Sequence, residues 1–275
     1  MNTWKYAAAS VRGKSHIKQN LPCQDRVRAI LEDDIAVCAL SDGAGSYNYP
    51  EIGAETVTNI LCNTMKSDFK ILFERDEGQI KDYLLYTLRH YLFCTSYVMN
   101  TDIREYASTL LFVVIHEDNY ISGHIGDGVI GVLRNGNIEV LSHPENGEFH
   151  NITYFVTDPT AHEHLRIQKG KLEDTTGFIL MSDGVSDSLY SNTDRVLTEA
   201  ANQMLNWLNV YDPQIVRKAL EDNIKNVFQK HTTDDCSIIL LKRSEPSKEK
   251  GAFTCIREFY RNREKRSGVC GYLGF

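Results

Sequence analysis

Apolar residues alternate or run continuously through Trp4–Ser10, Asp34–Leu40, Ser108–His116, Tyr120–Ile125, Val129–Arg134, Ile138–Ser142, Phe178–Met181 and Ser237–Lys242. These are the patterns of half-buried and fully buried strands. Over Ile52–Met65 and Ile80–Met99, and around Thr193–Leu208 and Pro213–Gln229, they return at every third and fourth position instead. That spacing predicts helices with one apolar face. The predicted order is strands, two helices, a run of strands, two helices and a last strand. A doubly wound parallel sheet alternates strand with helix, so this order predicts an α+β fold, an antiparallel core flanked by helices. Arg134–Asn137 (RNGN) joins two of the strands with the turn chemistry of a hairpin.

Composition narrows the class. A chain of 275 residues, 42% of them hydrophobic, can bury one large core. No apolar run approaches the ~18 residues that would span a bilayer, and the first residues form no continuous hydrophobic signal segment. The expectation is a cytoplasmic protein with no membrane partner. The seven cysteines are scattered and never spaced C-x-x-C, so the sequence encodes neither a disulfide framework nor a structural zinc site. A net charge of −7 argues against general nucleic-acid binding. Past the last strand the composition changes: from Lys242 to Phe275 stand nine basic and four acidic residues, with Pro246 and Gly251 interrupting them. We therefore divide the chain into a domain over 1–243 and a basic tail over 244–275, whose aromatic residues could dock on the acidic body or on a partner.

Three Asp-Gly pairs follow apolar runs: Asp42-Gly43 after AVCALS, Asp127-Gly128 after ISGHIG and Asp183-Gly184 after GFILMS. Asp-Gly is also a favoured tight-turn dipeptide. The shared flanks, ALSDGAGS and LMSDGVSD above all, go beyond what a turn needs. Gln24-Asp25 before VRAIL and Asp234-Asp235 before CSIILL add carboxylates at strand edges. Two carboxylates ~4 Å apart repel by roughly 4 kcal/mol at an effective dielectric of 20. Clustering them calls for a cation, protons or separation. Oxygen ligands without His or Cys favour Mg²⁺ or Mn²⁺, and a pair of such ions suits phosphoester hydrolysis.

The ordered series GKSHIKQNLPCQD, LSDGAG, ASTLLF, HIGDGVIGVLRNG, LMSDGVSD and TDDCSIILL resembles the metal-dependent 2C-type serine/threonine protein phosphatases over about residues 5–243. Its first stretch is most similar to a bacterial branch with a G-x-S-H…P-C-Q-D motif. The resemblance implies a four-layer α-β-β-α sandwich with a metal centre at one sheet edge. It also implies hydrolysis of phosphoserine and phosphothreonine by a water shared between two Mg²⁺ or Mn²⁺ ions, with a third, optional ion. By the same resemblance Asp42 bridges the pair and Gly43 offers its carbonyl. Asp25 holds the waters of the metals, Asp183 and Asp234 complete the binuclear set, and Asp127 and Asp187 hold the outer ion. The implied partners are a phosphorylated protein substrate and a cognate kinase system; the oligomeric state is left open.

The chain departs from the family pattern at three places. Where many members carry a phosphate-gripping Arg stands Asn20, so His16, Lys18 or Arg12 would have to supply the grip. Where some animal members carry a His after Asp-Gly stands Ala44, which leaves leaving-group protonation to a metal-held water or His16. Gln24 replaces a Glu of the metal-water shell. Loss of the Arg motivates an alternative, a pseudophosphatase or signalling module that binds a phosphorylated partner without turnover. His162 and His164 read as a surface loop, and the segment from PENGEF through NITYFVTD as a cleft wall.

Overall fold

The computed structural model describes residues 4–32, 34–145 and 153–244. In chain order these form β1 (Trp4–Val11), α1 (Lys14–Gln19), β2 (Arg26–Glu32), β3 (Ile35–Ser41), α2 (Pro50–Phe73), α3 (Glu77–Met99), β4 (Leu110–His116), β5 (Asn119–Ile125), β6 (Val129–Arg134) and β7 (Asn137–Ser142). They continue as α4 (Ala161–His164), β8 (Arg166–Lys171), β9 (Thr175–Met181), α5 (Asp183–Leu189), β10 (Tyr190–Ser191), β11 (Val196–Leu197), α6 (Glu199–Val210), α7 (Pro213–Asn226) and β12 (Cys236–Arg243). Two five-stranded antiparallel sheets run in the orders β1-β12-β9-β6-β7 and β2-β3-β4-β5-β8. They stack face to face, with α2 and α3 covering one outer face and α6 and α7 the other. The expected α-β-β-α sandwich is the fold.

Both faces of the central strands are covered, which explains their unbroken apolar runs. Every residue of β3 and β4 is buried. Cys38, Leu40, Leu111 and Val113 face the other sheet's Val132, Phe178, Leu180 and Ile239. Their neighbours Val37, Ala39, Phe112 and Val114 pack instead with Leu61, Met65, Leu84 and Leu88 of α2 and α3. On the far side Ile179, Met181, Ile238 and Leu240 meet Met204, Leu205, Val216 and Leu220. Local chemistry sets the helix ends: Asp76 caps α3 by accepting from the Gln79 N–H at 2.9 Å, and Pro213 opens α7 behind the capping Asp212. The hairpin expected at RNGN is present. Asn135 and Gly136 both have positive φ, 49° and 78°, as a two-residue type I′ turn requires.

The structure differs from the pattern-based elements at the polar pieces. β8 (RIQKGK) is an edge strand with only Ile167 buried, so apolar alternation does not mark it. α1 buries no residue, and α5 begins on Asp183 itself, so this Asp-Gly pair opens a helix rather than a tight turn. His162 and His164 sit on α4, not in a loop: His164 stacks on Tyr154 and its Nδ1 lies 2.9 Å from Glu145 Oε1. Residues 245–275, which carry nearly all of the expected tail, lie outside the described residues. No helix among the described residues is long and apolar enough to cross a membrane.

Candidate metal centre

Five strand ends deliver carboxylates to one end of the sandwich. Asp42 follows β3, Asp183 follows β9, Asp25 precedes β2, Asp234 precedes β12, and Asp127 lies between β5 and β6. Asp42, Asp127, Asp183 and Asp234 line one cleft of about 250 Å³ together with Ser15, His16, Gln24, Gly43, Thr109, Thr153 and Phe155. Asp25 lies behind them, 1% exposed. Asp42 is fixed through its backbone, its N–H donating to Thr109 Oγ1 at 2.9 Å and its carbonyl accepting from the Thr109 N–H at 2.8 Å. Gly43 bridges to Ser108, and a Cβ there would lie 2.7 Å from the Pro50 carbonyl carbon. Only glycine lets the backbone pass that close.

The charges oppose one another. Burial raises the Asp42 carboxyl well above its ordinary value, and Asp25, Asp183, Asp127 and Asp234 add to the shift. Asp183 is pushed up to about 8, by burial first and then by Asp127, Asp234 and Asp25. Asp25 rises to about 7, chiefly through burial, although Ser182 Oγ donates to its Oδ2 at 3.0 Å. Burial also raises Asp127, against a 2.6 Å bond from Thr153 Oγ1. No Lys or Arg lines the cleft among the described residues. Asp25 Oδ1 and Gln24 Oε1 are buried without a hydrogen-bond partner. Oxygen donors in excess, orphaned acceptors and mutual repulsion fit divalent cations with hard oxygen ligands.

Of the expected ligands, Asp187 stands apart. It sits one helical turn beyond Asp183, lines a neighbouring pocket with Val227, Phe228 and His231, and is raised by burial and then by Asp127 and Asp234. Lys18 does not line the cleft: two residues beyond His16 on α1 a side chain points to the opposite face, and Lys18 is exposed. Arg12 donates to the Leu21 carbonyl at 3.1 Å and also stays outside. His16 does enter. Its Nε2 lies on the side of Gly45, 3.9 Å from where a Cβ would stand, and its Nδ1 is 3.0 Å from Asp235 Oδ1. Asp235, which motif reading left without a role, is 2% exposed and accepts from the backbone N–H groups of Gly13 and Gln24, both at 2.6 Å. It staples the loop carrying His16 and Asp25 to the start of β12. Asp234-Asp235 marks the place in sequence, but only burial tells clamp from cleft residue. Thr153 and Phe155 also line the cleft, as expected of the cleft-wall segment, whose residues 146–152 lie outside the described ones.

A separate ligand group occupies the opposite end of β3, where Asp34, His116 and Glu117 bring ligand atoms within 4.8 Å of one another. The cleft carboxylates ring a wider opening.

A family model for protein phosphatase 2C matches residues 12–225. The chain belongs to the protein phosphatase 2C family. Serine/threonine-protein phosphatase 3 of Escherichia coli (strain K12) is 30% identical over 168 residues, which cover 58% of this chain and 65% of that protein. The chain thus spans just under two thirds of that curated relative. Solved structures with the same fold include the S. agalactiae serine/threonine phosphatase, with TM-score 0.60, 17% identity and coverage of 88% of this chain and 100% of that one. They also include the Mycobacterium tuberculosis phosphatase PstP/Ppp, with TM-score 0.55, 15% identity and coverage of 88% and 99%. Among the described residues, His16 is the basic side chain that lines this cleft.

Proposed function

We propose that this 2C-family protein hydrolyses phosphoserine and phosphothreonine monoesters on protein substrates with two Mg²⁺ or Mn²⁺ ions. The observation that carries this reading is the convergence of Asp25, Asp42, Asp183 and Asp234 on one opening without a compensating cation. Asp42, Asp183, Asp234 and the Gly43 carbonyl would hold the ions directly, with Asp25 behind them and Asp127 and Asp187 serving an optional third. When bound, the ions supply Lewis-acid charge neutralisation and a more acidic attacking water.

The chain's own side chains do the rest. Asp25 and Gln24 present buried acceptors that orient a water, and Ser182 keeps one Asp25 oxygen occupied so that the other faces inward. His16 Nε2 donates to a phosphate oxygen or protonates the departing seryl or threonyl oxygen. Asp235 Oδ1, 3.0 Å from Nδ1, sets the position of the ring. Phe155 and Ala44 exclude water from one side. The binding-only alternative needs a cationic grip on phosphate, and no Lys or Arg lines the cleft among the described residues. Mn²⁺-titrated release of phosphate from a phosphothreonine peptide tests the reading. No turnover at saturating Mn²⁺ or Mg²⁺ would overturn it.

A further inference from the structure

At the end of the sheet opposite the cleft, the chain entering β3 meets the chain leaving β4. Ile35 pairs with His116 there, and just beyond that pair the Glu117 N–H donates to the Asp34 carbonyl at 3.2 Å. The Asp34 and Glu117 carboxylates therefore stand side by side. Like Phe112 and Val114 before it on β4, His116 faces α2, where its ring stacks on Phe69 with centroids 5.4 Å apart and planes at 22°. Its side chain is only 8% exposed, yet its Nε2 lies 2.9 Å from Asp34 Oδ2. Ligand atoms of Asp34, His116 and Glu117 all fall within 4.8 Å of one another. Asp42 stands at the other end of β3, about 25 Å away at the rise of an extended strand.

Charge and packing set this trio apart from ordinary surface acids. The nearby Glu32 is neutralised by Lys66, whose Nζ lies 2.6 Å from it. Among the described residues no Lys or Arg comes within ion-pair distance of Asp34 or Glu117. Glu117 takes a positive φ of 53°, a turn position where Gly or Asn is the ordinary choice, so turn chemistry does not account for a carboxylate there. Burial and the Phe69 stack hold the imidazole in one orientation, which lowers the cost of ligation. One nitrogen and two carboxylate oxygens form a donor set for Zn²⁺ rather than Mg²⁺, which prefers oxygen alone. Zinc holds such atoms at about 2.0–2.2 Å, which separates two of them by about 3.4 Å in a tetrahedron. Nε2 and Oδ2 need open by only about half an ångström to reach that spacing. We propose that Asp34, His116 Nε2 and Glu117 bind one Zn²⁺ ion, with water in the fourth position on the exposed side. The ion fastens the entry of β3 to the end of β4, remote from the cleft.

The test is equilibrium dialysis of full-length protein against micromolar Zn²⁺, with millimolar Mg²⁺ present to compete at the all-oxygen cleft. Wild type should retain one more Zn²⁺ per chain than Asp34→Asn or Glu117→Gln. Affinity for that ion should fall about ten-fold or more in either variant, at least the loss caused by removing a residue that merely supports a ligand. Asp34 and Glu117 are exposed, so both variants keep the fold, and His116→Gln is the third variant. Asp42→Asn should retain the ion. Zn²⁺ should also raise the Tm of wild type, a shift that Glu117→Gln lacks. Equal Zn²⁺ stoichiometry and affinity in wild type, Asp34→Asn and Glu117→Gln would overturn the proposal, because the ion would then sit on a cysteine or in the cleft. Loss of the ion in Asp42→Asn, or no bound Zn²⁺ in wild type, would overturn it as well. None of these readouts uses phosphatase turnover, so failure here is distinct from failure of the proposed activity.

Discussion

Asp42→Asn separates the electrostatics of the metal-free fold from the chemistry of the loaded one. In chelator, burial and then Asp25, Asp183, Asp127 and Asp234 raise the native Asp42 carboxyl well above its ordinary value and favour the neutral acid. The unfolded chain releases that proton near 3.8. Recovering it on folding costs at most about 5 kcal/mol at pH 7.5. Asn is neutral in both states and nearly isosteric, so it avoids the cost. Water entering the open cleft relaxes the ceiling, and we expect a gain of about 1–3 kcal/mol, a rise in Tm of roughly 2–10 °C for a domain of this size. Differential scanning calorimetry in EDTA should show the mutant melting higher at pH 7.5 and the difference shrinking as pH falls toward the unfolded value of 3.8 and vanishing below it, where Asp42 is neutral in both states. With Mn²⁺ the order reverses, because the wild type gains ligand-linked stability and the mutant loses most of it along with turnover. A mutant less stable than wild type in EDTA, or one retaining the wild-type rate, would refute the reasoning.

Further outcomes follow from the same geometry. Folded Asp25 and Asp183 keep protons up to about pH 7 and 8 while the unfolded chain loses them near 3.8, so their contribution to stability is present below about pH 4 and lost as pH rises through 7 and 8. Urea unfolding in EDTA from pH 5 to 9 should therefore show falling stability, and a rising trend would contradict it. His16→Gln should cut kcat/KM by about 100-fold or more, within the 10²–10⁴-fold range of a lost proton donor, with the Mn²⁺-induced rise in Tm unchanged. Asp235→Ala leaves the Gly13 and Gln24 N–H groups buried and unpaired, at a cost of about 2–5 kcal/mol, measurable by chemical denaturation. Asp127→Asn should keep a substantial fraction of turnover if, as proposed, Asp127 serves only an optional third ion; complete loss would place it in the central set.

Much of this architecture is legible in the chain because burial on two faces leaves a mark. β3, β4, β9 and β12 are continuous apolar runs, and the carboxylates Asp42 after β3, Asp183 after β9 and Asp234 before β12 can be assigned to the edge of a sheet. What hides is whatever burial does not write. β8 and α1 present polar residues on most sides, so hydrophobic spacing passes over them. Asp235 and Lys18 show the same limit at the site. Adjacent carboxylates look alike in sequence, yet in the bend before β12 Asp234 lines the cleft while Asp235 is buried under the His16 loop. Lys18 and His16 share a short motif, and a helical turn of α1 separates them by half a revolution.

The position of β12 also has a consequence for how the protein is made. Its residues come last in the described domain, yet the strand lies in the middle of its sheet, between β1 and β9. Until Cys236–Arg243 leave the ribosome, β1 has no partner and Gly13 and Gln24 have no clamp. Asp234 itself emerges some two hundred residues after Asp25. A nascent chain that ends before Asp234 therefore lacks one of the carboxylates that meet at this end of the sandwich, and the full set comes together only when β12 inserts.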